Sequence, residues 1–252
     1  MRRPEPSTYV ALVGLSAALL GPGPAPRADE VKGPCPGDMV LSGPKTCIDP
    51  FEAYLEELDA SGTVTGVHPA NELVGKKRVR AANRRGATPQ AYISQAEAGA
   101  ACAEAGKRLC TDNEWLAACQ GTPKTRYPYG TRRRAGYCND AGTEALPAVF
   151  PGRMNDWNRL MNDPRLDKVP GTVAPSGSFT RCRGELEVFD MVGNVHEWTA
   201  DPAGTMRGGF FLDTTKLGEG CEYDANGHDT AYHDYSTGFR CCKDANTDTT
   251  PR

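Results

Sequence analysis

Residues 189–198 read Phe189-Asp190-Met191-Val192-Gly193-Asn194-Val195-His196-Glu197-Trp198 (FDMVGNVHEW), and the way this stretch turns decides the fold. Gly193-Asn194 is a turn pair, because both residue types tolerate the backbone of a tight reversal. Two carboxylates, Asp190 and Glu197, flank it. One reading is a hairpin with both carboxylates in water. The other is an oxygen cage, in which two hard carboxylate ligands and the carbonyls exposed by the turn surround a Ca²⁺ ion.

Further out, the chain is punctuated by turns. Ser94 with Glu97 three residues on forms a capping box, Ala-rich turns follow, and Gly106 stops the helix. A second helix starts near Thr111, again with a Glu at the third position (Glu114), and runs to Gly121. Upstream, Cys35 to Ala53 alternates around Gly43-Pro44 and reads as a hairpin. Lys76 to Arg85 (KKRVRAANRR) is read as a basic loop balanced by acidic neighbours. From Gln120 to Glu185 no period persists, and so long an irregular stretch needs bridges or a bound metal to hold it. Short strands are expected at Glu187–Met191, Val195–Thr199, Met206–Leu212 and Thr237–Cys242, with a frayed polar tail over 243–252.

Composition narrows the class. Gly (28) and Pro (20) in 252 residues exclude a helical bundle, and a formal charge of −3 gives no field that draws the whole chain to nucleic acid or an anionic membrane. Arg2-Arg3 followed by the apolar run Val10–Leu20 reads as a signal peptide, too short to span a bilayer, with cleavage after Ala28. Removing residues 1–28 (Arg2, Arg3, Arg27 and Glu5) leaves 26 basic against 31 acidic residues, or −5. After a linker over 29–34, one domain is expected over 35–242, exported to a periplasm or the outside, without a membrane span and monomeric. Ten cysteines in an exported chain read as a disulfide framework. No Cys-x-x-Cys pair supports zinc.

Five motifs carry a resemblance. Asp190–Thr199 (DMVGNVHEWT) resembles the GN-x-x-EW motif of the formylglycine-generating enzyme and sulfatase-modifying factor family, and Gly106–Trp115 (GKRLCTDNEW) its GKRLPTEAEW. Tyr127–Gly130 (YPYG) is similar to FPWG, Arg207–Phe210 (RGGF) to the start of RGGSW, and Gly238–Cys241 to GFRC, all in the family's order from about Met39 to Cys242. The resemblance implies an α+β domain of C-type-lectin-like, formylglycine-generating-enzyme fold, low in regular secondary structure, disulfide-braced, with two structural Ca²⁺ ions. By position, the first ion would take Asp190, the carbonyls of Gly193 and Val195, and Glu197. The second would take Asn139 with Asp140, and Asp167 with Val169 ahead of Gly171-Thr172. The resemblance also implies the bridges Cys102–Cys241 and Cys119–Cys221. Cys35–Cys47 is then local. Cys110–Cys242 is expected to run beside Cys102–Cys241, leaving Cys138–Cys182.

One departure bears on function. The family's oxidases bind Cu(I) through two cysteines just after the Gly-Gly-Ser motif, a soft pair that suits that ion. Here Phe210–Gly218 (FFLDTTKLG) contains no cysteine, so copper is not expected and the activity is not inherited with the fold. The leading expectation is a calcium-stabilised binding or accessory module for a peptide, glycan or protein. The alternative is a divergent formylglycine-generating or other metal-dependent oxidase acting on a protein cysteine or a small molecule. His228, Asp229, His233 and Asp234 would be its candidate Fe or Cu(II) ligands, against a reading as turn residues of an exposed loop. His68 and His196 read as structural or surface residues. Trp115, Trp157 and Trp198 read as core anchors. A sugar binder ranks last, since no Glu-Pro-Asn or Gln-Pro-Asp triplet is present.

Overall fold

A computed structural model describes residues 33–153 and 157–246. The signal peptide expected over 1–28 lies outside these residues, as does the side chain of Trp157. In chain order the elements are β1 (Val40–Ser42), β2 (Thr46–Ile48), β3 (Ala53–Leu58), β4 (Val64–Val67), β5 (Val79–Asn83), α1 (Gln95–Glu104), β6 (Arg108–Leu109) and α2 (Asp112–Gln120). The short helices α3 (Ala145–Val149) and α4 (Trp157–Leu160) follow. Then come β7 (His196–Trp198), β8 (Met206–Arg207), β9 (Asp224–Ala225), β10 (Thr237–Phe239) and β11 (Cys241–Asp244).

Local chemistry sets the two main helices. Ser94 and Thr111 each cap a helix through a reciprocal capping box, with Glu97 and Glu114 at the third position. Past α1 and α2 the chain turns at Gly106 (φ +67°) and Gly121 (φ +62°), where a β-carbon would be strained. After α2, Gln120 to Glu185 is mostly turns, interrupted by α3, α4 and one 3₁₀ turn at Leu166–Lys168.

The strands form three small sheets ordered β1-β2-β11-β6, β10-β7-β8-β9 and β4-β3-β5. All neighbours are antiparallel except β10 and β7, which pair Gly238 with Glu197 in parallel. The chain passes from the second sheet into the first at Arg240, between β10 and β11. Leu55, Ile93, Trp198 and Phe239 pack between β3, α1 and β7. Trp115, Tyr127 and Met191 pack with six half-cystines around α2. Tyr92, Leu166, Phe211 and Tyr235 close a third cluster. The result is an α+β fold, poor in regular structure, braced by Cys35–Cys47, Cys102–Cys241, Cys110–Cys242, Cys119–Cys221 and Cys138–Cys182.

Five expectations need correction. The strand expected over Met206–Leu212 ends at Arg207, before the left-handed Gly208 and Gly209, and Thr237–Cys242 is two strands in different sheets. Glu187–Met191 is not a strand: Glu187 and Asp190 have φ of +56° and +57°, and the amides of Phe189 and Asp190 go to the carbonyls of Pro50 and Cys182. The basic run is not a loop throughout, since Val79–Asn83 is β5, paired along its length with β3. Three of its six charges are balanced by carboxylates, Lys77 by Glu57, Arg78 by Glu104 and Arg80 by Glu56, whereas Arg84 and Arg85 lie over the rings of Tyr54 and Phe189. The tail does not fray from Lys243. Lys243 and Asp244 pair with Cys47 and Thr46, Lys243 donates to the Gly106 carbonyl, and Asp244 binds Arg108. Main-chain pairing to β2 holds a segment whose polar side chains alone would leave it free.

Candidate functional site

The Gly193–Asn194 turn is made of left-handed residues: φ is +57° at Asp190, +82° at Gly193 and +61° at Asn194. A non-glycine residue in this region costs free energy, and packing around the turn maintains it. The Asn194 side chain does most of this. Its Nδ2 donates to Glu52 Oε2 (2.8 Å) and to the Ala174 carbonyl (3.0 Å), while its Oδ1 accepts from Asn139 Nδ2 (2.9 Å) and the Ala174 amide (2.8 Å). Four segments meet on one amide.

The strand after the turn alternates. Glu197 points to one face of β7, and His196 and Trp198 to the other. Glu197 meets Arg240 in a fork, Oε1 to Nη2 and Oε2 to Nε at 2.5 Å each, and Oε2 also accepts from Trp115 Nε1 at 2.6 Å. Arg240 spends its other donors on the carbonyls of Asp49 and Phe189. Both charges are essentially without solvent contact, so such bidentate geometry is needed to offset desolvation.

Glu52 and Asp190 complete a buried group of three carboxyls around one guanidinium. Burial, then Asp190 and Glu197, push the Glu52 carboxyl well above its ordinary range. Burial pushes Asp190 up to about 6 against the pull of the Gly177 amide, which donates to its Oδ2 at 2.5 Å. Glu52 Oε1 has no partner.

Of the first expected set, Asp190 and Glu197 both face Arg240, and the Glu197 carboxylate is committed to Arg240 and Trp115, so it does not fit a cation ligand. Asn139 and Asp140 join the turn: the Asn139 carbonyl accepts from the Asn194 amide, and Asn139 Nδ2 reaches the Thr172 carbonyl. Asp140 Oδ2 binds Arg133 Nε at 2.7 Å, and its Oδ1 has no partner. Asp167 instead lies among Tyr92, Tyr235 and Asp234. Both its oxygens are buried without partners, and burial, then Asp234, raises it well above the usual carboxylate range. The Val169 carbonyl accepts from Thr172 Oγ1. Asp167 also adjoins a cleft of about 480 Å³ lined by Tyr54, His68, Asn71, Arg84 and Lys168.

At Phe210–Gly218, Asp213 Oδ1 accepts from the Thr215 and Lys216 amides and its Oδ2 from the Tyr223 hydroxyl, building a polar turn. Cys221 is bonded to Cys119, and all ten cysteines of the chain stand in bridges. The histidine loop is likewise used for structure. His228 packs on Trp198 and Tyr232, His233 Nδ1 meets Asn162 Oδ1 at 2.8 Å, and Asp234 takes Tyr232 and Ser236. His196 is buried between Phe210 and Tyr223 with Nδ1 on Ser236 Oγ, and burial lowers it to about 4. Among the described residues no three His, Cys, Asp or Glu side chains stand together as metal ligands.

Residues 46–245 match the family model of the sulfatase-modifying factor enzyme 1-like domain. The chain belongs to this family. It is 32% identical over 137 residues to the mouse (Mus musculus) inactive C-alpha-formylglycine-generating enzyme 2, covering 50% of this chain and 38% of that protein. It is 33% identical over 119 residues to hercynine oxygenase of Mycobacterium tuberculosis, covering 45% and 22%. The chain thus spans well under half the length of the curated relatives it matches. Among solved structures, PvdO from Pseudomonas aeruginosa superposes with a TM-score of 0.47 at 14% identity, over 83% of this chain and 99% of that one.

Within this sulfatase-modifying-factor domain, sequence reasoning missed Glu52, Asn194 and Arg240 as members of the buried centre. Asn194 and Arg240 stand inside quoted motifs, so position in a motif was a usable signal. Glu52, in Asp49-Pro50-Phe51-Glu52, has no local signal at all.

Proposed function

We propose that this member of the sulfatase-modifying factor family is an exported, monomeric binding or accessory module without copper oxidase chemistry. One observation carries it: every cysteine is bonded, and the stretch after Arg207-Gly208-Gly209 has none, so the oxidised chain offers no thiolate pair to a soft metal. The name of the mouse relative, an inactive formylglycine-generating enzyme, supports the same reading. Five bridges fit an oxidising compartment, and no helix among the described residues is long and apolar enough to cross a membrane.

Ca²⁺ is the structural ion we assign, with Asp167 as its strongest ligand, because two buried and unpartnered carboxylate oxygens call for a cation. Excess chelator is then expected to lower the melting temperature by several degrees, as loss of an ion that binds only the folded state requires. An unchanged melting curve would remove calcium from the proposal. The likeness to hercynine oxygenase favours a second reading, a metal-dependent oxidase centred on His228 and His233. Elemental analysis after exposure to Cu(I), Fe(II) and Ca²⁺ separates the two. Calcium alone supports the binding module, and stoichiometric copper or iron supports the oxidase.

A further inference from the structure

Tyr137 precedes Cys138, and Arg181 precedes Cys182. The Cys138–Cys182 bridge therefore ties the two loops together and sets a clamp on the Tyr137 ring. The guanidinium carbon of Arg181 lies 4.3 Å from the ring centroid and that of Arg134 5.5 Å. Arg134 Nη1 donates to the Tyr137 hydroxyl at 3.3 Å, and the Arg134 amide donates to the hydroxyl of Tyr129, whose ring packs 4.9 Å from that of Tyr137. Arg181 Nη2 reaches the Gly136 carbonyl at 3.5 Å.

The charge here is uncompensated. Arg133 is paired with Asp140, Arg183 with Glu187, and Arg126 with Glu219 and Glu222. Arg132, Arg134 and Arg181 are exposed, and among the described residues no carboxylate pairs with any of them. Arg134 also holds the Tyr137 phenol below the ordinary tyrosine range. A local cluster of guanidiniums without carboxylate partners, on a chain of formal charge −3, runs against the average field.

We infer that this clamp binds an anionic saccharide, with sulfate or carboxylate groups docking on the forks of Arg134 and Arg181. Guanidinium forks match such oxyanions bidentately, and the Tyr137 ring that both contact holds them side by side. Tyr129 continues into a shallow groove of about 370 Å³ with Pro128, Gly130, Arg183, Gly184 and one carboxylate, Glu185, which gives the sugar ring a path beyond its charged group. A bilayer is a poorer partner, because the exposed large apolar side chains (Leu41, Val64, Val67, Leu73 and Leu217) all lie outside these loops. Single-stranded nucleic acid needs free aromatic faces, and the Tyr137 ring is occupied by two guanidiniums and Tyr129. The surface shares no residue with Phe210–Gly218, so binding there is testable whether or not oxidase chemistry remains.

The test is fluorescence anisotropy of the oxidised protein with a labelled heparin octasaccharide (sulfates and carboxylates) and a hyaluronan octasaccharide (carboxylates only). Binding to at least one is expected, falling several-fold between about 50 and 200 mM salt. The pair Arg134→Gln/Arg181→Gln is expected to weaken it about tenfold or more, and Arg126→Gln, already ion-paired, by less than about twofold. Binding to heparin alone identifies sulfate as the docking group, and binding to both identifies the carboxylate as sufficient. No binding to either, an equal loss with Arg126→Gln, or tighter binding to phosphatidylserine vesicles or oligo-deoxythymidine overturns the inference. If the double variant does not fold, phenylglyoxal modification of the wild type decides: bound saccharide should protect Arg134 and Arg181, and unprotected arginines overturn the site.

Discussion

At Gly193 the backbone has φ +82°, and a β-carbon would overlap the Asn139 carbonyl oxygen and crowd Asp140. Gly193→Ala is therefore expected to cost about 2–5 kcal/mol in urea denaturation, from left-handed strain plus overpacking. Gly43→Ala, at φ +75° with nothing within 4 Å, is expected to cost only the strain, about 1–2 kcal/mol. His196 offers a pH signature. Burial lowers its folded pKa to about 4 from an ordinary 6.5, so between those values the unfolded chain binds the extra proton and stability falls as pH falls. His196→Gln should lose that slope, worth up to about 3 kcal/mol between pH 6.5 and 4. Asp49 and Asp190, raised to about 6 by burial, act in the opposite sense, which is why the difference between variant and wild type is the quantity to measure.

At the scale of elements, the two capping boxes differ in what else they hold. Ser94 and Glu97 satisfy only the start of α1. Glu114 satisfies the Thr111 cap, forks to Arg108 at 2.7 Å on both oxygens, and accepts from Thr46 Oγ1, so it fastens α2 to β6 and β2. Burial pushes its carboxyl up, but these bonds outweigh it and hold it at about 2. Ser94→Ala is expected to cost about 1 kcal/mol and Glu114→Ala about 2–3 kcal/mol by chemical denaturation. Equal costs would mean that the Arg108 and Thr46 contacts contribute nothing.

For the whole molecule, the long bridges substitute for long elements. Cys102–Cys241 and Cys110–Cys242 span 139 and 132 residues and fasten the last turn of α1 and the residue after β6 to β11. Cys35–Cys47 spans 12. Replacing Cys102 and Cys241 by Ala is expected to cost about 4–5 kcal/mol, against about 3 kcal/mol for Cys35 and Cys47, because closing a longer loop removes more entropy from the unfolded chain. Denaturant midpoints of the two variants give the comparison. Mass analysis after alkylation under denaturing conditions should find no free thiol on the wild type, and a labelled cysteine would reopen the metal reading.

What the residues determined alone is local. The boundaries of α1 and α2 follow from capping boxes and glycine stops, and the β1–β2 hairpin from alternation around Gly43, because these interactions close within a few residues. The family was legible through short motifs, and the missing cysteine pair through simple inspection of Phe210–Gly218. The tertiary structure decided what those residues do. Glu197 is taken by Arg240, 43 residues on, and Asn194 by Glu52, 142 residues back. Asp167 lies beside Asp234, and Phe189 and Asp190 give their amides to remote carbonyls instead of a ladder. A buried charge or amide is satisfied by whichever partner the packing delivers, and no spacing along the chain encodes that choice.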